Sequence, residues 1–525
     1  GQQTDIMQKT EIKKPDLGTG SVGKLLAKLA LPAVAAQIIN MLYNLIDRVY
    51  VGRIAVIGTD ALAGLGVCFP IILIVSAFSA LIGMGGAPLA AIRMGEKKRE
   101  EAEKIFNNGV ILLLIFGIAL TVVLLLFSRQ LLVLFGSPAS SLPYADAYLR
   151  IYAIGTVFVM LALGLNPFIS TQGFAFMSMI TVAIGAVLNI ALDPLFIFAF
   201  NMGVRGAALA TILSQAVSCV WVVLFFVSKR TSIKLKPSFF KLQPSVFFPM
   251  LALGVTPFIM QATESAVQIV FNVQLHAYTG GSKDYTAALT IMMSVMQVIS
   301  LPLNGLGTGA QPLISYNYGA GNMVRVKKTV KYLFLTALTV CFIVWLSCLT
   351  VPFIYASIFS ASAEVTAIVN DYMPIFMMGS IMFCAQFALQ NAFLALGQAK
   401  ISMFLALLRK VILLIPLTFI LPLISGVKGV FLAEGVADLT AGTITGLAFL
   451  LSFKGILLRR EAFLSAQAER ANAAASVTGD VIPMNAQNTP YVSAEELSEK
   501  TLAEESLSIG ENPEAQNTVT ENKAE

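Results

Sequence analysis

VILLLIFGIALTVVLLLF, residues 110–127, runs for eighteen residues without a charged side chain. Coiled as an α-helix it would be about 27 Å long at roughly 1.5 Å per residue. That nearly matches the roughly 30 Å hydrocarbon core of a bilayer. In lipid, a helix meets the need of every backbone N–H and C=O for an internal partner. Runs of the same character recur along the chain. About twelve are predicted, near 25–52, 61–89, 110–127, 148–169, 177–200, 206–226, 247–276, 287–314, 332–354, 372–393, 401–424 and 429–453. Composition agrees, with 57% hydrophobic and only 12% charged residues against about 25% charged in soluble domains. The fold class expected is therefore an all-α integral membrane protein of about twelve spans.

The short loops carry the charge. Lys97, Lys98, Arg99 and Lys104 cluster in one, Lys229, Arg230, Lys234, Lys236 and Lys241 in a second, and Arg325, Lys327, Lys328 and Lys331 in a third. The alternate loops hold only Arg53, Arg129, Arg150, Arg205, Lys283 and Lys428. By the positive-inside rule both termini are expected in the cytoplasm. The net charge of +6 thus reports topology and carries no nucleic-acid signal. The polar first 24 residues, with Lys9, Lys13, Lys14 and Lys24, predict no cleavable signal peptide. From Arg459 onward the polar composition predicts a disordered tail. The five cysteines fall within spans without metal-ligand spacing and read as small buried apolar residues.

The chain repeats itself. "GAPLAAIRMG" (86–95) aligns with "AQPLISYNYG" (310–319) at a shift of 224 (312 against 88), and Tyr148 falls opposite Tyr372 at the same shift. "GVRGAALA" (203–210) answers "GVKGVFLA" (426–433) at 223 (426 against 203). Two six-helix repeats running the same way through the membrane follow, a plan several transporters use with a site between or within the halves. The expected organisation is a cytoplasmic segment 1–24, an N lobe 25–227, a cytoplasmic linker 228–245, a C lobe 246–455 and a disordered cytoplasmic tail 456–525.

Ionisable groups inside spans cost about 2.5–3.5 kcal/mol on insertion scales and are functional candidates. "VLNIALDPLFIF" (187–198) places Asn189 and Asp193 four residues apart, on one helix face. Pro194 lacks an N–H, so the Ile190 carbonyl loses its helical partner and is free for a cation or water. Counting residues at about 1.5 Å each brings Asp47, Asp193 and Thr211 to one depth. Two carboxylates, an amide oxygen, a hydroxyl and a freed carbonyl form an all-oxygen set suited to Na⁺. The same carboxylates, close together in low dielectric, would suit a shared proton. The competing reading makes Asp193 a cap on a kinked helix and Asp47 an interfacial group beside Arg48.

"LPAVAAQIINMLYNLIDRVYVGRI" (31–54), "LNIALDPLFIF" (188–198) and "GVRGAALAT" (203–211) together resemble the multidrug and toxic compound extrusion (MATE) family, in its bacterial DinF-like and MepA-like branch. The resemblance spans residues 20–455. It implies N and C lobes around a central cleft and export of amphipathic, often cationic drugs in exchange for H⁺ or Na⁺. It implies a bacterial plasma-membrane location, no cofactor and no enzymatic activity. The family's cation-coupling residues fall on Asp47, Asn189, Asp193 and Thr211, with eighteen residues from Asp193 to Thr211 as the family has. A monomer in the lipid bilayer is expected.

The second half departs from that pattern. Opposite Asn189 and Asp193 the repeat puts Val411 to Pro416, without a carboxylate, preceded by Arg409 and Lys410. Glu264 resembles an acidic residue of some branches, but it lies seven residues after Pro257 where the family has eight. Glu434 and Asp438 share one face of the last span, Glu434 opposite Thr211. Glu264, Glu434 and Asp438 either bind a cationic drug or second proton, or neutralise Arg409 and Lys410. Asn40 and Gln37 on the first span are further candidates for substrate contact. The 35 Phe and 20 Met would line an adaptable cavity or pack against lipid.

A flippase for a lipid-linked precursor on the related fold is the alternative. It would favour a cationic cavity, whereas acidic groups dominate here. An enzyme would need acid–base or metal groups, and the sole histidine, His276, sits near a loop.

Overall fold

The structure is a computed structural model that describes residues 16–478 except 55, 56, 136, 138 and 360; for 58, 59, 62 and 473–478 it describes the backbone alone. The first half is built from α1 (Val22–Gly52), α2 (Gly58–Gly95), α3 (Arg99–Leu134), α4 (Leu142–Ile154), α5 (Thr156–Thr171), α6 (Ala175–Pro194) with a π-turn at Leu195–Ala199, and α7 (Val204–Val227). The second half holds α8 (Pro244–Thr279), α9 (Lys283–Gly319), α10 (Met323–Thr350), the short α11 (Pro352–Ile358), α12 (Ala363–Phe376) and α13 (Ser380–Ala395). It closes with α14 (Ala399–Leu407), a π-turn Leu408–Leu414, α15 (Ile415–Ser425) and α16 (Val427–Thr478).

Among the described residues ten helices are long and apolar enough to cross a bilayer. Two bent pairs, α4–α5 at 61° and α12–α13 at 49°, bring the number to twelve when each pair is one span. The single spans expected near 148–169 and 372–393 are therefore broken helices. The breaks fall at Gly155 and at Met377–Gly379, and 379 against 155 repeats the 224-residue shift. A Cβ on Gly155 would lie 2.4 Å from the Ile212 side chain of α7, and one on Gly379 2.1 Å from the Gly435 carbonyl of α16. Each break lets a helix press its backbone against the sixth span of its own lobe.

Two buried clusters mark the lobes. One is built mainly on α2 to α5 and α7, the other on α9 to α16. The first helix of each half belongs to both. Leu26, Leu29 and Ala30 of α1 pack in the C-lobe cluster and Val51 in the N-lobe cluster. Val246 and Met250 of α8 pack in the N-lobe cluster, and Val267, Phe271 and Leu275 in the C-lobe cluster. Near the basic loops, then, the start of each first helix is seated on the opposite lobe.

Glycines permit that exchange. A Cβ on Gly254 of α8 would meet the Leu81 carbonyl of α2 at 1.7 Å, and one on Gly85 the Met250 carbonyl at 2.2 Å. Gly305 and Gly309 of α9 admit Val34 and Ala30 of α1 in the same way. Small residues are the usual means of close helix approach in membranes, where no hydrophobic force separates helix from lipid.

Residues 228–245 are bound to the N lobe by side chains that satisfy loop N–H groups, as buried backbone requires. Gln172 Oε1 accepts from Thr231 Oγ1 (2.9 Å), Ser232 N (2.6 Å) and Ile233 N (3.1 Å). Asn107 Oδ1 accepts from Lys236 N and Asn108 Oδ1 from Gln243 N, both at 3.0 Å, while Glu103 pairs with Lys236.

Residues 456–478 correct the expected disordered tail, because α16 continues to Thr478. The stretch RREAFLSAQAERANAAA (459–475) holds no Gly or Pro and is rich in Ala, Glu, Arg, Leu and Gln, which favour helix whatever their polarity.

Arg460 on that extension ties the lobes together. Its guanidinium pairs with Glu96 at the end of α2 and donates to the carbonyls of Gly319 (3.1 Å) and Tyr318 (3.3 Å) at the end of α9. Burial pushes the Glu96 carboxyl up, and the Arg93 and Arg460 guanidiniums beside it outweigh that, leaving it below its ordinary 4.5. A carboxyl held below its unfolded value stabilises the fold fully above that value and loses the contribution as pH falls through the lowered one. Arg460→Gln removes part of this support, of order 1.5–3 kcal/mol for a charge-assisted hydrogen bond. The difference in Tm between wild type and Arg460→Gln is therefore expected to be large near neutral pH and to shrink once pH falls below 4.5. A difference unchanged over that range would show that the pair carries no charge-dependent stability.

Candidate functional site

Asn189 and Asp193 of α6 are buried, at 2% and 0% exposure. Asn189 Nδ2 donates to Asp193 Oδ1 and to Thr211 Oγ1 of α7, both at 3.4 Å, and Thr211 Oγ1 donates to the Ala207 carbonyl at 3.0 Å. From α1, Asp47 reaches the same point, its carboxyl adjacent to that of Asp193. The structure thus brings Asp47, Asn189, Asp193 and Thr211 into one cluster. Three buried oxygens in it have no hydrogen-bond partner among the described residues: Asp47 Oδ1, Asn189 Oδ1 and Asp193 Oδ2. Such groups lose hydration without compensation, so the cluster is chemically incomplete without a proton or a cation. The Arg48 guanidinium lies over the Phe69 ring at 4.8 Å and is near enough to Asp47 to interact with its charge. Behind Pro194 the π-turn Leu195–Ala199 follows directly, and such turns often accompany functional sites.

Two tyrosines complete these surroundings. Tyr148 of α4 is buried beside Thr211 and near Asp47, and Tyr43 lies one turn before Asp47 on α1. Sequence reasoning noted Tyr148 only as a repeat landmark. The spacing of four from Tyr43 to Asp47 was the signal available for the other.

The C lobe gathers the remaining charges differently. Arg409 and Lys410 sit in the π-turn Leu408–Leu414. Arg409 Nε donates to Asp438 Oδ1 at 2.7 Å and its Nη2 to Glu434 Oε1 at 2.9 Å, with the Phe383 ring 4.8 Å from the guanidinium. Lys410 Nζ pairs with Glu264 and donates to the Met260 carbonyl at 2.8 Å. Glu264 keeps 65% of its side chain exposed although it stands midway along α8. Asn40 is exposed and Gln37 half-buried on α1, and among the described residues no hydrogen bond joins either to the two clusters.

Between the lobes Met84, Met260, Gln261, Asn304, Gln390 and Asn391 line a cavity of about 90 Å³. Drug-sized ligands need about 300 Å³ or more, so this cavity is too small to hold one. Met260 links the cavity wall to Lys410 through its carbonyl.

The MatE family model matches residues 32–195 and again 257–420, the second match beginning 225 residues after the first (257 against 32). The chain belongs to the MatE family. Members of that family are transporters, not enzymes. This MatE chain is 24% identical over 437 residues to a protein of Staphylococcus haemolyticus named multidrug export protein MepA, with 82% of this chain and 93% of that protein covered. A MepA of Staphylococcus aureus is 23% identical, covering 80% and 92%. Among solved structures, a MOP superfamily transporter from Pyrococcus furiosus is similar at 22% identity and a TM-score of 0.77, covering 84% of this chain and 98% of that one. A MATE described in a bent conformation is similar at 21% and 0.78, covering 85% and 98%. These likenesses support the two-lobe, twelve-span MatE fold.

Proposed function

We propose that this MatE protein is a secondary multidrug efflux antiporter that exports amphipathic, often cationic compounds in exchange for H⁺ or Na⁺ by alternating access. The observation that carries this reading is the set of three unpartnered buried oxygens of Asp47, Asn189 and Asp193 beside the Thr211 hydroxyl. Relatives named for multidrug export support the substrate class. Asp47, Asn189, Asp193 and Thr211 hold the coupling cation, and Pro194 leaves the Ile190 carbonyl available to it. The basic loops face the cytoplasm of a bacterial plasma membrane and both termini lie there. Binding of the cation draws α1 onto α6, reshapes the N-lobe wall of the cleft and releases drug outward. The cation-loaded protein then turns inward and discharges. No resident cofactor is required, and the protein works as a monomer.

The test is drug transport in everted vesicles under an imposed ΔpH, with and without a Na⁺ gradient. Export driven by either gradient identifies the ion. Drug movement that is indifferent to both would overturn the antiport reading.

A further inference from the structure

We propose that the Glu434–Asp438 pair is a proton-binding site in the C lobe, holding the one proton that makes the membrane-embedded charge network neutral. The network comprises three carboxylates, Glu264, Glu434 and Asp438, and two cations, Arg409 and Lys410, joined by the ion pairs Arg409–Glu434, Arg409–Asp438 and Lys410–Glu264. The Lys410–Glu264 pair is balanced by itself. Arg409 alone faces two carboxylates, which leaves one negative charge unmatched.

An unmatched charge in a buried site is costly, more so within a bilayer. Glu434 is 5% exposed and Asp438 1%, so water does not offset it. The geometry locates the gap. Asp438 Oδ1 and Glu434 Oε1 accept from Arg409, whereas Asp438 Oδ2 is buried with no partner among the described residues. A proton on the pair removes the excess charge and turns one oxygen into a donor. The groups facing the pair are Arg409 and Lys410 from the π-turn, Glu264 from α8, and the thiol of Cys341 on α10, which is itself beside Cys384 of α13. Asp438 Cβ also lies 2.9 Å from where a Cβ on Gly379 would stand. The site is thereby seated against the break between α12 and α13, the counterpart of the Gly155 break beside Thr211.

Charge counting makes the test quantitative. The purified full chain carrying Asp47→Asn and Asp193→Asn, which removes the N-lobe acids, is examined by infrared difference spectroscopy for the carbonyl band of a protonated carboxyl. Solvent-facing carboxyls ionise near 4 and do not contribute at neutral pH. One carboxyl equivalent is expected. Adding Glu434→Gln or Asp438→Asn leaves two acids for two bases, and the band should vanish. Adding Arg409→Gln leaves three acids for one base, and it should double. Adding Lys410→Gln with Glu264→Gln removes a balanced pair, and it should not change. Glu434→Gln and Asp438→Asn carry the same expectation, so one that folds poorly is replaced by the other. A missing band at neutral pH, a band surviving both neutral substitutions, or a band erased by NaCl would overturn the proposal, the last because Na⁺ would then fill the site. The background lacks the N-lobe acids, so this result stands or falls separately from the antiport reading.

Discussion

Asp193→Asn is expected to abolish ethidium efflux in everted vesicles while leaving the protein folded and inserted. Asparagine has nearly the shape of aspartate, so the packing of α6 against α1 and α7 is kept. What disappears is the charge. Asp193 is fully buried and its Oδ2 has no partner among the described residues, so the group contributes nothing to the resting hydrogen-bond network that asparagine fails to supply. Its carboxylate matters when a cation arrives. Hydrogen bonds to a charged group are worth about 1.5–3 kcal/mol, which is roughly 10- to 150-fold in cation affinity at 1.4 kcal/mol per tenfold. Asp47→Asn should act in the same direction. Its effect should not add to that of Asp193→Asn, because the two carboxyls serve one site. Full efflux by Asp193→Asn would remove the N-lobe cluster from the mechanism.

Much of this arrangement was legible in the sequence because a membrane imposes a strong and simple grammar. Apolar runs such as 110–127 had to be spans, the 224-residue repeat gave two lobes, and carboxylates inside spans pointed to Asp47, Asp193, Glu434 and Asp438. The helix breaks were not legible. Hydropathy averages smoothly through RIYAIGTVF (150–158), where Gly155 is the only breaker and its reason, the Ile212 side chain, lies more than fifty residues away. Charge partners were also hidden. The spacing put Glu434 and Asp438 on one face but could not decide which cation they met, since that depends on the π-turn that aims Arg409 and Lys410 at different helices. The Arg460 contact was missed for a further reason: a polar sequence beyond the last span looks like a tail, while its helix propensity carries Arg460 back to Glu96 and the end of α9.

Gly254→Ala is expected to shift the transporter toward a state in which the lobes part near the basic loops. In the present structure the added Cβ would stand 1.7 Å from the Leu81 carbonyl oxygen and 2.6 Å from its carbon. That carbonyl belongs to the backbone of α2, so no rotamer change relieves the clash. Overpacking of this kind costs about 1–3 kcal/mol. A state with α2 and α8 separated is spared the cost, so the equilibrium moves toward it by about 5- to 150-fold at 1.4 kcal/mol per tenfold. Met250, 0% exposed and packed against Gly85 and Gly86, reports the change. In a background free of the five native cysteines, maleimide labelling of Met250→Cys from the basic-loop side should rise by a similar factor. Drug efflux should fall, because the conformation depicted here becomes scarce. Gly446→Ala is the matched control, since a Cβ there meets nothing within 4 Å and neither labelling nor efflux should change. Unaltered labelling with lowered thermal stability in Gly254→Ala would mean that the contact between α2 and α8 is permanent, and that any alternation of access must run through the contacts of α1 and α2 with α9.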